Sequence, residues 1–174
     1  IRNRKRFSFQ LITDTDDCFN TKIAGLAVSC TQNNGFYFLI NDDNKKIIRS
    51  LFEDESLQIV GFDLKFAIKF FSNQEVLLKG KLFDVQIAHY LLHPDMRNSL
   101  DIISENYLGI ALKEEQSIIG KGKTKVLFSS LESSLLTDYA SERASVIYNL
   151  AEVLEKEMKE VGIYDEYIDW IDIG

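Results

Sequence analysis

The sequence is poor in the residues that build cross-links and metal sites. Its 174 residues include two cysteines, Cys18 and Cys30, and two histidines, His89 and His93. Two cysteines are too few for a disulfide framework, and such usage is typical of a reducing compartment, so we expect a cytoplasmic protein. The histidines lie four residues apart, a spacing that can bind a metal, but no third ligand accompanies them. We therefore predict structural roles for both histidines.

Long hydrophobic runs are also absent. No stretch of about 18 apolar residues occurs, which argues against a transmembrane helix, and no apolar segment follows the basic first residues as in a signal peptide. Hydrophobic residues make up 45% of the chain and charged residues 27%, the composition of a globular domain with its own core. The sequence therefore predicts a globular protein that has no membrane partner.

Positive charge is scarce, because 20 lysines and arginines face 27 aspartates and glutamates, for a formal net charge of −7. Strong nucleic-acid binding needs clustered cations that release counterions from the phosphates. We therefore expect the isolated chain to bind single-stranded DNA weakly. The chain begins with Ile1 and a basic stretch, so we interpret residues 1–6 as a linker and the chain as a piece of a longer polypeptide.

Hydrophobic periodicity predicts an α/β fold. Three strands are expected to form an antiparallel meander, at residues 7–13 (FSFQLIT), 23–31 (IAGLAVSCT) and 36–40 (FYFLI), with an Asn-Gly turn before the last. Residues 57–61 (LQIVG) are almost entirely apolar, as in a parallel strand that is buried on both faces. We expect a mixed sheet, with the meander and the parallel strands flanked by helices.

Helical patterns occupy most of the remaining chain. Helices are predicted at residues 44–54, 64–71, 84–92, 100–108 and 131–161, the last with a break near Thr137 and Asp138. Residues 110–130 are expected to be irregular and to carry a lysine loop, defined here as Lys121, Lys123 and Lys125. The order of elements is that of a ribonuclease H-like fold, one candidate among several.

Motif spacing alone indicates no convincing active site. Gly122, Lys123 and Thr124 resemble the end of a phosphate-binding loop, but that motif needs a glycine where Ser117 stands. Asp14 and Asp16 follow the first strand and are best interpreted as part of a polar turn.

Five blocks of the sequence together resemble a known family. They are VGFDL at 60–64, LKGKLFDVQIAHYLLHP at 78–94, MRNSLDIISENYLG at 96–109, IGKGK at 119–123 and DYASERA at 138–144. In order and spacing they resemble the 3′–5′ exonuclease (proofreading) domain of bacterial DNA polymerase I, a family A polymerase. The resemblance implies a ribonuclease H-like domain over residues 7–162. It also implies that residues 163–174 begin a connection to a polymerase domain outside the chain.

The resemblance further implies that the active site is vestigial. Active members of the family hold two divalent metals, Mg²⁺ or Mn²⁺, with four carboxylates. The three motifs that carry these carboxylates fall on Gln10 and Ile12, on Asp63 and Ala67, and on Tyr139 and Arg143. An amide, an aliphatic chain, a methyl group and a cation replace the four carboxylates. We therefore expect no metal cofactor in this domain and no exonuclease activity.

The remaining expectations concern contacts. Arg143 is expected to pair with Asp63 or Glu142, because a cation at this position needs a neutralising partner. Tyr139 and the lysine loop are the candidate DNA contacts. The resemblance implies that DNA is bound through the parent polymerase, that this domain packs on the polymerase domain in the same chain, and that the parent acts in replication and repair at the bacterial nucleoid.

Two alternatives stay open. The chain could be an active exonuclease whose metals are held by relocated ligands, namely Asp14, Asp16, Asp63 and Glu142. It could also be a stand-alone, inactive nuclease-like module that binds a protein partner.

Overall fold

A five-stranded mixed sheet forms the centre of the fold. The computed structural model describes residue 1 and residues 4–173. The strands are β1 (Arg6–Thr13), β2 (Ile23–Ser29), β3 (Gly35–Phe38), β4 (Gln58–Gly61) and β5 (Lys81–Asp84), in the order β3-β2-β1-β4-β5. β2 pairs antiparallel with β1 and β3, whereas β4 pairs parallel with β1 and β5. The predicted meander and the predicted mixed sheet are both confirmed.

Seven α-helices surround this sheet within the described residues. They are α1 (Asp42–Phe52), α2 (Leu64–Asn73), α3 (Val85–Leu92), α4 (Leu100–Leu108), α5 (Glu115–Ile119), α6 (Ser133–Val161) and α7 (Tyr164–Ile173). Asn41 begins α1 with a capping box to Asn44, and Gly109 ends α4 in the left-handed conformation. None of these helices combines the length and the apolar character needed to cross a membrane.

β4 is buried on both faces, as its apolar sequence predicted. Ile59 and Val60 are both 0% exposed, and they belong to different core clusters. Ile59 packs with Phe52 of α1 and Phe71 of α2, whereas Val60 packs with residues of α3, α4, α6 and α7. Successive strand residues point to opposite faces of a sheet, so helices on both sides are needed to cover them.

Two helical predictions need correction. α6 is continuous through Thr137 and Asp138, where a break was expected. Thr137 fits inside the helix because its hydroxyl donates to the carbonyl of Ser133 (2.7 Å), while the buried side chains of Leu136 and Tyr139 hold this turn against the core. The segment expected to be irregular contains α5 and two short 3-10 helices, Gly122–Thr124 and Phe128–Ser130.

Residues from both segments that were interpreted as connections pack in the fold. Arg6 lies in β1, where it pairs with Gln58 of β4, and its guanidinium forms an ion pair with Glu155 of α6. In α7, Tyr167 is fully buried, and its hydroxyl accepts a hydrogen bond from the Asp84 amide (2.6 Å). A connection from residues 163–174 to a polymerase domain stays a prediction.

α6 packs closely on the sheet. Ala140 and Ala144 are fully buried, and the Ser8 hydroxyl of β1 donates to the carbonyl of Ala144 (2.5 Å). Gly35 of β3 is equally close, since a Cβ atom at this position would collide with the carbonyl of Ser141. Small residues thus allow backbone-to-backbone approach, which fixes where the side chains of α6 stand relative to β1.

The two histidines have structural partners, as predicted. His89 is fully buried, with its Nδ1 3.0 Å from the side-chain oxygen of Asn98, and this burial lowers its pKa. His93 lies 2.8 Å from the Tyr107 hydroxyl, which in turn donates to Glu157 (2.7 Å). These contacts join α3 to α4 and α6.

A buried carboxylate joins the starts of two helices. Asp84 ends β5 and is 1% exposed. One of its oxygens accepts from the amides of Gln86 and Ile87 in α3 (2.8 and 3.2 Å), and the other accepts from the Leu64 amide of α2 (2.7 Å). Burial raises the pKa of Asp84, whereas these three amides act in the opposite direction. All three partners are N–H donors, so both side-chain atoms of residue 84 that face them must be hydrogen-bond acceptors.

We predict that Asp84→Asn destabilises the protein by about 1–3 kcal/mol, because its amide nitrogen would face the Leu64 N–H and leave a buried donor unpaired. Urea unfolding of this variant would measure the loss. Asp138→Asn makes the same chemical change on an exposed part of α6 and serves as the control. Equal urea midpoints for the two variants would contradict the role of Asp84 in joining the starts of α2 and α3.

Candidate functional site

A cavity of about 420 Å³ opens where β1, α2 and α6 meet. Five of the six residues that the resemblance placed at the active site line it: Gln10, Ile12, Asp63, Ala67 and Tyr139. They come from three separate segments of the chain. The fold therefore brings the three motifs together, with the sixth residue, Arg143, outside the lining.

The two β1 residues at the first motif, Gln10 and Ile12, offer few ligand atoms to a metal. Ile12 is 2% exposed and offers only an aliphatic side chain. The Gln10 amide nitrogen donates to the carbonyl of Leu11 (2.7 Å). Ile12 pairs with Gly25 of β2, where the absence of a side chain makes room for the ring of Tyr37.

The α2 side contributes one carboxylate and one methyl group. Asp63 precedes α2 in the left-handed conformation (φ 57°), and its side chain caps the helix by accepting from the Phe66 amide (3.3 Å). Ala67 is one turn further along α2 and is buried. The carboxylate at this position therefore already has a structural partner.

On α6, the buried ring of Tyr139 contacts the side chains of Phe128 and Arg143. It is 4% exposed, and the Phe128 ring stacks against it at 5.7 Å between centroids and 28° between planes. The guanidinium carbon of Arg143 lies 4.5 Å from the ring centroid, a cation–π contact. Burial raises the pKa of Tyr139. The predicted DNA contact requires a face of this ring to become free.

Arg143 does not have the partner that the sequence suggested. One of its terminal nitrogens donates to the carbonyl of Lys113 (3.1 Å), and within the described residues neither Asp63 nor Glu142 forms an ion pair with it. Glu142 lies in a second cavity beside Asn34 and Gly35. Consecutive helical residues point about 100° apart, so Glu142 and Arg143 serve different surfaces of α6.

The four carboxylates proposed as relocated ligands are likewise separated. Asp14 accepts hydrogen bonds from the amide (2.8 Å) and the hydroxyl (2.7 Å) of Ser129, and Glu142 faces the second cavity. Of the four, Asp16 and Asp63 line the candidate site.

The donor set does not fit a pair of divalent metals. Hard cations such as Mg²⁺ and Mn²⁺ need several oxygen ligands at about 2.0–2.6 Å. In the part of the chain that the structure describes, no group of three or more histidines, cysteines, aspartates or glutamates is arranged to hold a metal ion.

Sequence reasoning missed several residues of the cavity. Glu115, Phe62, Phe66 and Phe128 all line it. Phe128 and Glu115 lie in the segment that was expected to be irregular, where no periodicity indicates which side chains point inward. Phe62 falls within a block that carried the resemblance, but its role was not apparent from the sequence.

The lysine loop does not line the cavity, although Lys125 contacts the lining residue Glu115. All three of its lysines are exposed, and none lines the site. Lys125 forms an exposed ion pair with Glu115 (3.5 Å). Such surface pairs contribute little to stability.

Comparison with known proteins identifies relatives over most of the chain. A family model of the DNA polymerase A type, described as 3′–5′ exonuclease, matches residues 2–159. DNA polymerase I of Borreliella burgdorferi is 27% identical over 169 residues, which cover 92% of this chain and 18% of the relative. The chain spans less than a fifth of the length of the curated relatives that it matches first.

Solved structures show the same fold. Brucella melitensis NrnC superposes with a TM-score of 0.83 at 15% identity, covering 97% of this chain and 80% of NrnC. Escherichia coli RNase D, described as an exoribonuclease involved in structured RNA processing, superposes with a TM-score of 0.78 at 13% identity and covers 99% and 45%. The fold is therefore that of the ribonuclease H-like exonucleases.

We predict that Gly35→Ala destabilises the protein by about 1–3 kcal/mol, because the added methyl group meets the backbone of α6 and cannot be accommodated by a side-chain rotation. Urea unfolding measures the change. Asn33→Ala, an exposed substitution in the same turn, is the control. A loss no greater than that of the control would show that α6 is free to move away from the sheet.

Proposed function

The chain belongs to the 3′–5′ exonuclease family found in DNA polymerase I, and on that premise we propose that it is a catalytically inactive exonuclease domain. Its role is architectural: it supports the position of a parent polymerase on DNA during replication and repair. We place this role in the bacterial cytoplasm, at the nucleoid.

The observation that carries the proposal is the chemistry of the cavity. At the positions where the resemblance expects metal ligands, the lining presents the Ile12 side chain, the Ala67 methyl group and the Gln10 amide. Asp63 is engaged as a helix cap, and Arg143 is directed towards Lys113. The side chains at these positions cannot replace the four carboxylates that hold the metals of a two-metal nuclease.

The parent polymerase is part of the proposal. It is supported by the match to DNA polymerase I, of which this chain corresponds to less than a fifth. In this arrangement the polymerase domain supplies most of the DNA affinity, which is consistent with the net charge of −7 on this chain.

A stand-alone nuclease-like protein is the second candidate. It is favoured by the superposition with NrnC, of which the chain covers 80%. The reading frame on either side of the segment separates the two candidates, because polymerase motifs in the same frame support the first and their absence supports the second.

We predict no metal-dependent digestion of a labelled single strand by this chain in millimolar Mg²⁺ or Mn²⁺. Digestion that is abolished by chelation and by Asp63→Ala would overturn the proposal in favour of relocated ligands. Asp138→Ala removes an aspartate outside the cavity lining and is the control in that assay.

The reverse experiment installs the missing carboxylates. The joint substitution Gln10→Asp, Ile12→Glu, Ala67→Asp and Arg143→Asp should create Mn²⁺ binding that calorimetry detects. We expect activity to return only in part, because no neighbouring groups orient the new ligands. A variant that folds but binds no Mn²⁺ would contradict the assignment of these four positions.

We further predict that replacing all three lysines of the lysine loop with alanine weakens binding to single-stranded DNA. The slope of log affinity against log salt should fall by about 0.7 for each lysine that contacts a phosphate. Fluorescence anisotropy at several salt concentrations measures both effects. A triple variant at Lys45, Lys46 and Lys156 has the same net charge and is the control, and equal effects of the two triples would exclude a local contact.

A further inference from the structure

We propose that Arg143 and Asp14 form a two-point clamp that holds residues 113–129, here called the strap, across the Tyr139 side of the cavity. The clamp keeps this side of the cavity closed in the resting domain. Arg143 and Asp14 are positioning residues in this role, because they act through the strap.

The strap rests on the site through two apolar anchors. Ile119 and Phe128 are 3% and 7% exposed, and they share a core cluster with Ile12 and Tyr139. The amide of Val126 donates to the carbonyl of Ile119 (2.8 Å), which folds the strap back on itself and places the two anchors side by side. Between the anchors, the strap is exposed.

The first clamp point is at the start of the strap. Arg143 donates to the carbonyl of Lys113 (3.1 Å), and the same guanidinium lies over the Tyr139 ring at 4.5 Å. An arginine is charged at all accessible pH values, and its planar group can stack and donate at once. One side chain therefore fixes the strap and covers one face of Tyr139.

The second clamp point is at the end of the strap. Both carboxylate oxygens of Asp14 accept hydrogen bonds from Ser129, one from its amide (2.8 Å) and one from its hydroxyl (2.7 Å). Hydrogen bonds to a charged acceptor are stronger than those between neutral groups. The neighbouring Phe128 is thereby held against the ring of Tyr139.

The two clamp points account for how the strap is tied to distant elements. Among the described residues, the hydrogen bonds that join residues 113–129 to β1 or its following turn and to α6 come from Asp14 and Arg143. The Lys125–Glu115 ion pair lies within the strap and is exposed. Loss of either clamp should therefore release one end of the strap and leave the sheet intact.

The consequence for a nucleic acid rests on the proposed function, whereas the clamp itself does not. A base can stack on Tyr139 only after Phe128 or Arg143 moves, so the strap must open before a strand end contacts this ring. In the parent protein, the closed strap would then keep this domain from competing with the polymerase domain for DNA ends.

Hydrogen exchange and tyrosine nitration, both mapped by mass spectrometry, test the clamp in the chain as it exists. The clamp variants are Asp14→Ala, which removes both acceptors of the Ser129 hydrogen bonds, and Arg143→Met, which keeps an unbranched chain without donors. Asp138→Ala and Lys156→Met are the matched controls on α6. We expect exchange within the strap and nitration of Tyr139 to rise about tenfold or more in the clamp variants, because hydrogen bonds to charged groups are lost.

Several outcomes would overturn the clamp. Strap exchange and Tyr139 nitration at wild-type levels in both clamp variants would do so, and so would an equal rise in the controls. Unchanged exchange in β4 verifies that each variant is folded. If the Asp14 variant fails to fold, Ser129→Ala replaces it and should raise hydrogen exchange in the strap by a smaller factor. If the Arg143 variant fails to fold, Arg143→Lys replaces it and should leave Tyr139 protected from nitration. Unchanged exchange in Ser129→Ala would overturn the clamp.

A binding measurement tests whether the closed strap keeps DNA from Tyr139, because the charge and the strap predict opposite changes in affinity. Arg143→Met removes a positive charge, so electrostatics alone predicts weaker binding to a short oligodeoxythymidine. Release of the strap predicts tighter binding, by severalfold in fluorescence anisotropy. Weaker binding would overturn the idea that the closed strap keeps DNA from Tyr139. The proposed function is tested separately, by the exonuclease assay described above.

Discussion

The close approach of α6 to the sheet is the constraint on which the rest of the structure depends. Ala140 and Ala144 have no side chain beyond Cβ, and Gly35 has none, so the helix backbone lies directly on β1, β2 and the turn before β3. This contact sets the distance from β1 to Tyr139 and therefore the width of the cavity. Substitutions that enlarge these residues would move the helix and the site together.

The cavity brings together residues that the resemblance assigns to a nuclease site, and among them are Ile12 and Ala67. Ile12 and Ala67 are buried among aromatic rings, where carboxylates would need metals or donors to offset their desolvation. Apolar side chains at these two positions avoid the cost of keeping charged groups buried. Ile12 shares a core cluster with Phe128 and Tyr139, whose rings stack on each other.

Much of the fold follows from local sequence patterns, and the failures have specific causes. The burial of β4 follows from its apolar residues, and the end of α4 follows from Gly109. The break expected at Thr137 does not occur, because tertiary packing of the adjacent Leu136 outweighs a weak local preference. The segment before α6 could not be assigned, because two short 3-10 helices and a five-residue helix are too short to show a period.

The sequence by itself determined which chemical groups are present, because Gln10, Ile12, Ala67 and Arg143 stand at the positions that the resemblance assigns to the motifs. The fold brings β1, α2 and α6, which carry these motifs, to one cavity. Only the tertiary structure decided what the charged groups contact. Arg143 reaches Lys113 and Asp14 reaches Ser129, across 30 and 115 positions of the chain. No periodicity encodes such contacts, because the partners lie on elements that only packing brings together, and the direction of each side chain depends on the helix rotation and the strand register that this packing fixes.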